Sequence, residues 1–228
     1  MRLDAGIRVG PTNDTLSVNI DAGGATTVTL THGLYLSLAA LCEEATTQLA
    51  AVDPALSMTP SGSGVALAAS GGSTAAWAWP KPALRDALGF TGVLSASALH
   101  TSATCPHTFL ASLPWSTRRP VGWTLTRQRS RHPSGVTASR TVTRRRRFEV
   151  DAVVTAAELA AFRAVMRRLA AGVPGTLYRD ADNATPWAYD EWSGQSAVQI
   201  AGPSYADAFD GRTLQLLRTT LVLLEYSA

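Results

Sequence analysis

Two runs of small alternating side chains, Thr15–Asp21 and Ala25–Thr31, flank the pair Gly23-Gly24. A period of two around paired glycines predicts two strands. The period then changes: Leu38, Leu41, Cys42, Ala45, Leu49 and Val52 recur every three or four residues. That spacing predicts one amphipathic helix over 37–52, stopped by Asp53-Pro54. Ala55–Pro60 and Val65–Ser70 on either side of Ser-Gly-Ser-Gly read as a β-hairpin, and Ala75–Pro80 as a short strand. Pro82 to Leu88, with proline at its start and Gly89 at its end, predicts a short glycine-capped helix.

Residues 93–117 are rich in Ser and Thr and contain Pro106 and Pro114. They read as a loop and supply the boundary between a first domain, 1–115, and a second, 116–228. Beyond it, Val121–Arg131 and Val136–Val154 predict two long strands joined at His132-Pro133-Ser134-Gly135. On the first strand Val121, Trp123 and Leu125 share a face that continues as Arg127, Arg129 and Arg131. On the second, Phe148, Val150 and Ala152 share a face that continues as Arg146 and Arg144, while Arg145 and Arg147 lie opposite with Glu149 and Asp151. An apolar base running into an arginine-clad tip predicts a hairpin that outruns its own core.

Thr155 and Glu158 have capping-box spacing before the stripe Leu159, Phe162, Val165, Met166 and Leu169, which predicts a helix over 155–171 ended by Gly172. Strands are expected near 176–179, 196–201 and 213–226, the last central to its sheet, with a polar loop at 180–194. The fold class is therefore α+β and mainly β: a small N-terminal α+β module, then a β-sandwich or barrel-like domain with a long hairpin and one flanking helix.

Composition agrees with a globular chain, at 46% hydrophobic and 16% charged residues in 228. Charge distribution changes the picture more. Residues 1–116 carry a net −3, residues 117–148 ten arginines and no acid, and residues 149–228 a net −4. These ten are Arg118, Arg119, Arg127, Arg129, Arg131, Arg140, Arg144, Arg145, Arg146 and Arg147. Arginine pairs carboxylates bidentately, neutralises phosphates and stacks on bases. Three readings follow: an inter-subunit clamp using carboxylates of neighbouring copies, a nucleic-acid contact, or a solvated or ion-bound tip.

Other chemistry is sparse. No Gly-x-Ser-x-Gly elbow, phosphate-binding loop or Cys-x-x-Cys pair occurs, and His32, His100, His107 and His132 are scattered. Asp180, Asp182, Asn183, Asp190 and Glu191 gather oxygens, but Thr185 stands where a calcium loop needs glycine, so they read as an Asx-rich turn. Catalytic residues, metals and cofactors are thus expected to be none. The apolar sequence goes into strands and helices, leaving no evident polar pocket. Cys42 reads as a core residue and Cys105 as a loop residue. Trp187, Tyr189 and Trp192, with Tyr205, would form the aromatic platform of a carbohydrate-binding or adhesin module, or pack over the sheet edge. No apolar run reaches 18 residues and no secretion signal is present, so a membrane partner is not expected.

Residues 15–92 resemble a small module of structural proteins from tailed bacteriophages. Its order there is strand, Gly-x-Tyr turn, helix, hairpin and closing Leu-Gly-Phe. Here those marks are Gly33-Leu34-Tyr35, the helix 37–52, the hairpin around 61–64 and Leu88-Gly89-Phe90. The second half is similar in architecture to the tail-tube and distal-tail group, where a β-domain flanked by a helix forms rings and long hairpins reach between subunits. The resemblance implies a virion protein of the tail, made in the host cytoplasm, whose partners are its own copies and other tail proteins. It also implies transient contact with DNA in the tail lumen. A module preceding the ring-like domain departs from the plain tube subunit and points to a distal-tail, baseplate or tail-accessory role.

Overall fold

The computed structural model describes residues 1–112, 115–117, 122–131, 133–134, 137–187, 194–208 and 216–226. For 116–117, 122–131, 137–144, 148, 201–208 and 216–218 only the backbone is described. The chain begins with β1 (Arg2–Ala5) and β2 (Ile7–Val9), then β3 (Thr15–Ile20), β4 (Ala25–Thr29) and β5 (Gly33–Tyr35). Helix α1 (Leu38–Ala50) leads to β6 (Leu56–Ser61), β7 (Gly64–Ala69) and β8 (Ala75–Ala78), and α2 (Pro82–Leu88) to β9 (Leu94–Ser97) and β10 (Leu99–Thr101). There follow β11 (Thr108–Leu110), β12 (Ser116–Thr117), β13 (Gly122–Arg131), β14 (Thr137–Thr155), α3 (Leu159–Ala170), β15 (Gly175–Tyr178), β16 (Ala197–Ala208) and β17 (Leu216–Glu225). The mainly-β α+β class holds.

There are two hydrophobic cores. The first runs from Ile7 to Cys105, with α1 burying Leu38, Leu41, Cys42, Ala45 and Leu49 against Trp77 and the strand residues. Three small sheets surround it, ordered β4-β3-β8-β9, β10-β7-β6 and β2-β5. Ser37 caps α1 through Ala40 N at 3.1 Å. Asp14, at the start of this unit, receives Lys81 and His32 together and so ties the entry of α2 to β3 and the β4–β5 loop. Gly89 closes α2 at φ +79°, and a Cβ there would sit 1.8 Å from the Thr104 carbonyl, so both conformation and space select glycine.

The second core lies between one face of an antiparallel sheet and α3, whose Phe162, Val165, Met166 and Leu169 are buried as the stripe predicts. The sheet order is β11-β1-β15-β16-β17-β14-β12, with β13 also on β14. β17 is interior, between β16 and β14. Gly202-Pro203 falls within a register shift between β16 and β17, where proline's missing donor is tolerated. Residues 155–158 form a turn, and α3 starts at Leu159. Only half of a capping box is made: Glu158 Oε2 accepts from Thr155 N at 2.9 Å and from its hydroxyl at 2.8 Å. Glu158 Oε1 is taken by Ser112 N at 2.8 Å.

Two expectations change here. Residues 93–117 are not a loop, since they contain β9 to β12. These strands are two to four residues long and rich in Ser and Thr, so they show no run of bulky alternating residues, and pairing partners supply their order. In addition, β1 pairs antiparallel with both β11 and β15 in the second sheet. The first unit is thus an excursion between two adjacent strands of that sheet, and Met1, Leu3, Ala5 and Phe109 belong to the second core.

β1 also joins the units. Leu3 and Ala5 point to α3, whereas Arg2 and Asp4, 6% and 0% exposed, lie on the opposite face. Arg2 clamps Asp4 through Nε at 3.0 Å and the terminal nitrogen at 3.1 Å. Asp4 Oδ2 also accepts from Leu38 N at 3.0 Å, a carboxylate at the N-terminus of α1. The guanidinium lies over the Tyr178 ring, 5.4 Å from its centroid. Burial opposes the charge on Arg2, but Asp4 more than offsets it and its pKa lies above the ordinary arginine value. Thr176 Oγ1 donates to Leu36 O at 2.9 Å and Gly6 N to Pro174 O at 2.9 Å, completing the seam. Gly175 faces β1 so closely that a Cβ would meet Asp4 O at 2.1 Å.

Two outcomes are expected. Asp4→Asn leaves the Arg2 charge buried without its counterion, and removing one partner of such a pair costs about 3–5 kcal/mol. The urea midpoint should fall accordingly, and an Arg2→Leu/Asp4→Leu double variant should lose less than the sum of the single changes. Second, His107 sits at the seam, with Nδ1 3.3 Å from Gly6 O. Burial, reinforced by nearby Arg168, pushes its pKa down to about 4. An unfolded histidine titrates near about 6.5. Between those values the unfolded chain binds a proton that the folded chain excludes, so stability falls as pH drops through that window, by about 3 kcal/mol at its foot. Urea titrations across that window should show the slope for the wild-type chain and a flatter one for His107→Gln.

Candidate functional site: the arginine ribbon

β14 is 19 residues long. It pairs with β17 from Arg147 to Thr155 and with β12 at Val150 and Asp151. From Thr137 to Arg146, β13 is its one partner among the described residues. At a strand rise of about 3.3 Å per residue, the two-stranded ribbon reaches roughly 30 Å past the sheet. The hairpin outruns its own core, as the sequence predicts.

The register distributes the charge. Arg144, Arg145, Arg146 and Arg147 stand opposite Leu125, Thr124, Trp123 and Gly122. Arg127, Arg129 and Arg131 stand opposite Thr141, Ser139 and Thr137, and Arg140 opposite Gln128. No arginine of these strands opposes another. A register shift between Thr126 and Arg127 is the cause, because continuing the earlier register would set Arg129 directly against Arg140. Like charges across a strand pair are destabilising, and one unpaired residue at Val142 removes the clash.

Side chains are described at the ribbon's root. Arg146 Nε lies 3.4 Å from Glu225 Oε2, and Arg147 lies 3.6 Å from Glu149 Oε1. Val150, Ala152 and Val154 place the even-numbered face of β14 on the α3 core. Arg146 therefore continues the core face, and Arg147 pairs on the opposite face with Glu149. Asp151 on that face accepts from Thr220 Oγ1 at 2.7 Å. The Nε atoms of Arg145 and Arg147 are buried without an acceptor. Among the described residues neither of these two Nε donors has a partner.

Of the other predicted site residues, Arg118, Arg119, Tyr189 and Trp192 lie outside the described residues. Arg127, Arg129, Arg131, Arg140 and Arg144 are placed by backbone alone. Trp187 is 2% exposed and meets Trp115 edge-on, with centroids 5.7 Å apart. It fills the second core and offers no face to a sugar. Asp180 accepts from Ala184 N at 2.9 Å and Thr185 N at 2.8 Å, the arrangement of an Asx-rich turn. Those bonds, Thr185 first, hold its carboxyl below the usual range.

Sequence reasoning found no pocket, yet a cleft of about 710 Å³ opens along the seam between the units. Its walls include Gly6, Arg8, Asp86, His107, Arg168 and Pro174. The cleft mixes both charge signs and arises because the two units meet there at glycine and proline backbone, a contact made between distant residues. Both cysteines are buried, and burial pushes Cys42 up to about 12 and Cys105 up to about 11, so both remain thiols. Glu149 and Glu225 are the site residues that sequence reasoning did not assign as arginine partners. Glu149 shares a strand with Arg147, whereas only the β14–β17 register reveals Glu225.

Comparison with protein-family models, with curated proteins and with solved structures finds no match to the chain.

Proposed function

We propose that the protein is a non-enzymatic structural subunit of a tailed-phage virion, a ring-forming tail component that assembles through its arginine ribbon. The observation carrying this reading is that the ribbon leaves its own sheet for roughly 30 Å while it holds the chain's excess positive charge. The flanking segments are net negative, so a neighbouring copy offers the carboxylates the ribbon lacks at home. The root shows the chemistry in miniature, with Arg146 and Arg147 on two faces each near a glutamate. Its place is a distal-tail, baseplate or tube-associated ring, in contact with other tail proteins and transiently with DNA in the lumen. The other reading of the same arginines is a nucleic-acid-binding protein, which their phosphate-pairing chemistry also serves.

The test compares the wild-type chain with an Arg127→Ser/Arg129→Ser/Arg131→Ser/Arg140→Ser variant, which leaves the root ion pairs intact. Sedimentation velocity and negative-stain imaging at low salt should show closed oligomers for the wild type that dissociate as salt is added. The variant should remain smaller at every concentration, with an unchanged melting temperature. A wild-type chain without closed oligomers that binds duplex DNA, with log Kd rising against log salt at a slope above about 4, would replace the ring with the nucleic-acid reading.

A further inference from the structure

The cleft along the seam takes no part in the ribbon, and its wall combines two chemistries. Leu34, Ala83, Ala87, Val173 and Pro174 supply apolar surface. The ionisable groups of the wall are Arg8, Asp86, His107 and Arg168. At about 710 Å³ the cleft lies within the range of about 300–1,000 Å³ typical of ligand sites.

The charges do not cancel. Asp86 is held by its neighbour Arg85, whose Nε donates to Oδ1 at 2.8 Å. Arg8 and Arg168 have no hydrogen-bond or ion-pair partner among the described residues. Arg8 stands on β2 between Ile7 and Val9, which enter the first core, so its exposed side chain lies on the opposite face. Arg168 lies in the last turn of α3, where the carbonyls are already taken. Gly172 N donates to Leu169 O at 3.1 Å and Val173 N to Arg168 O at 3.2 Å, so its guanidinium is not needed as a cap. Each unit therefore brings one uncommitted guanidinium to the shared cleft. The positive field reaches the imidazole in the same wall: Arg168 reinforces burial in lowering the pKa of His107, whose Nδ1 is engaged by Gly6 O at 3.3 Å.

A guanidinium fork matches two oxygens of a carboxylate or a phosphate. Two such forks beside apolar surface select an anion that carries an apolar body. We propose that the cleft binds a small organic dianion, a phosphate monoester or a dicarboxylate, whose oxygens are taken by Arg8 and Arg168 and whose body lies on Leu34, Val173 and Pro174. The site rests neither on the ribbon nor on the function proposed above.

The test titrates the full chain by calorimetry with phenyl phosphate, phthalate and inorganic phosphate, at physiological ionic strength, where exposed ribbon charges are screened. Phenyl phosphate or phthalate should bind at one site per chain, and the tighter of the two names the acid group. Inorganic phosphate, with no apolar body, should bind more than about tenfold more weakly than phenyl phosphate. Arg8→Gln and Arg168→Gln should each weaken the better probe more than about tenfold. Both should leave the melting temperature of the unliganded chain unchanged, since neither side chain has a partner to lose. Bound probe should also shift the His107 imidazole NMR signal and raise its pKa by offsetting the Arg168 charge, while His100, outside the cleft, keeps its signal. The inference is overturned if neither organic probe binds, if binding survives both arginine substitutions, or if inorganic phosphate binds as tightly as phenyl phosphate. The Arg127→Ser/Arg129→Ser/Arg131→Ser/Arg140→Ser variant should bind the probes as the wild type does, and loss of binding there would also overturn it. Oligomer size alone tests the ring, so the two readings fail by separate measurements.

Discussion

The Arg2–Asp4 pair is the contact on which both halves of the molecule depend. Two charges out of water are tolerated only when geometry and further hydrogen bonds offset the desolvation. Here the guanidinium takes both carboxylate oxygens and lies over Tyr178, and the carboxylate also closes the first turn of α1. The pair belongs to β1, whose other face carries Leu3 and Ala5 into the second core. One four-residue strand therefore fixes the sheet, the orientation of α1 and the seam. That seam also demands bare backbone, which is why Gly6 and Gly175 stand where a Cβ would collide with a carbonyl at 2.5 and 2.1 Å.

How far the sequence foretold this depends on the range of the interaction. The helices, the hairpins Thr15–Thr29 and Leu56–Ala69 and the ribbon rest on neighbours within a few dozen residues, and periodicity declares them. β1 does not declare itself. Arg-Leu-Asp-Ala alternates, but its alternate residues are charged and look solvated, and its partners β11 and β15 lie more than a hundred residues away. Treating the first 115 residues as a separate domain followed from that blindness. β9 and β10 escaped for another reason: strands of Leu, Ser, Ala and Thr have the composition of a loop until a neighbour pairs with them.

The ribbon was legible as a hairpin and as two faces, but its register was not. Thr141-Val142-Thr143 reads as uninterrupted alternation, and nothing local announces that Val142 has no partner. The reason becomes visible only when both strands are aligned and Arg129 meets Arg140. Charge repulsion across the ladder is the interaction that the bulge relieves. The same repulsion acts between molecules. A strand edge dressed in arginine cannot pair with its own copy unless carboxylates come with the partner, so the ribbon is protected against unselective pairing by the groups that would give it a specific one.

The uncharged edge over 94–101, formed by β9 and β10, shows the contrasting solution. Without charge it has no protection against pairing, and composition alone would make it an aggregation hazard. Its extent limits the danger. Strand β9 is four residues long and carries a register shift against β8, and the bend at Ala98 turns the chain into a different sheet, so the edge offers no continuous ladder. A head-to-tail contact through the ribbon leaves a free donor and a free acceptor on every added copy and propagates until the rotation closes. The two edges thus differ in chemistry, and the chain's excess positive charge is confined to the ribbon.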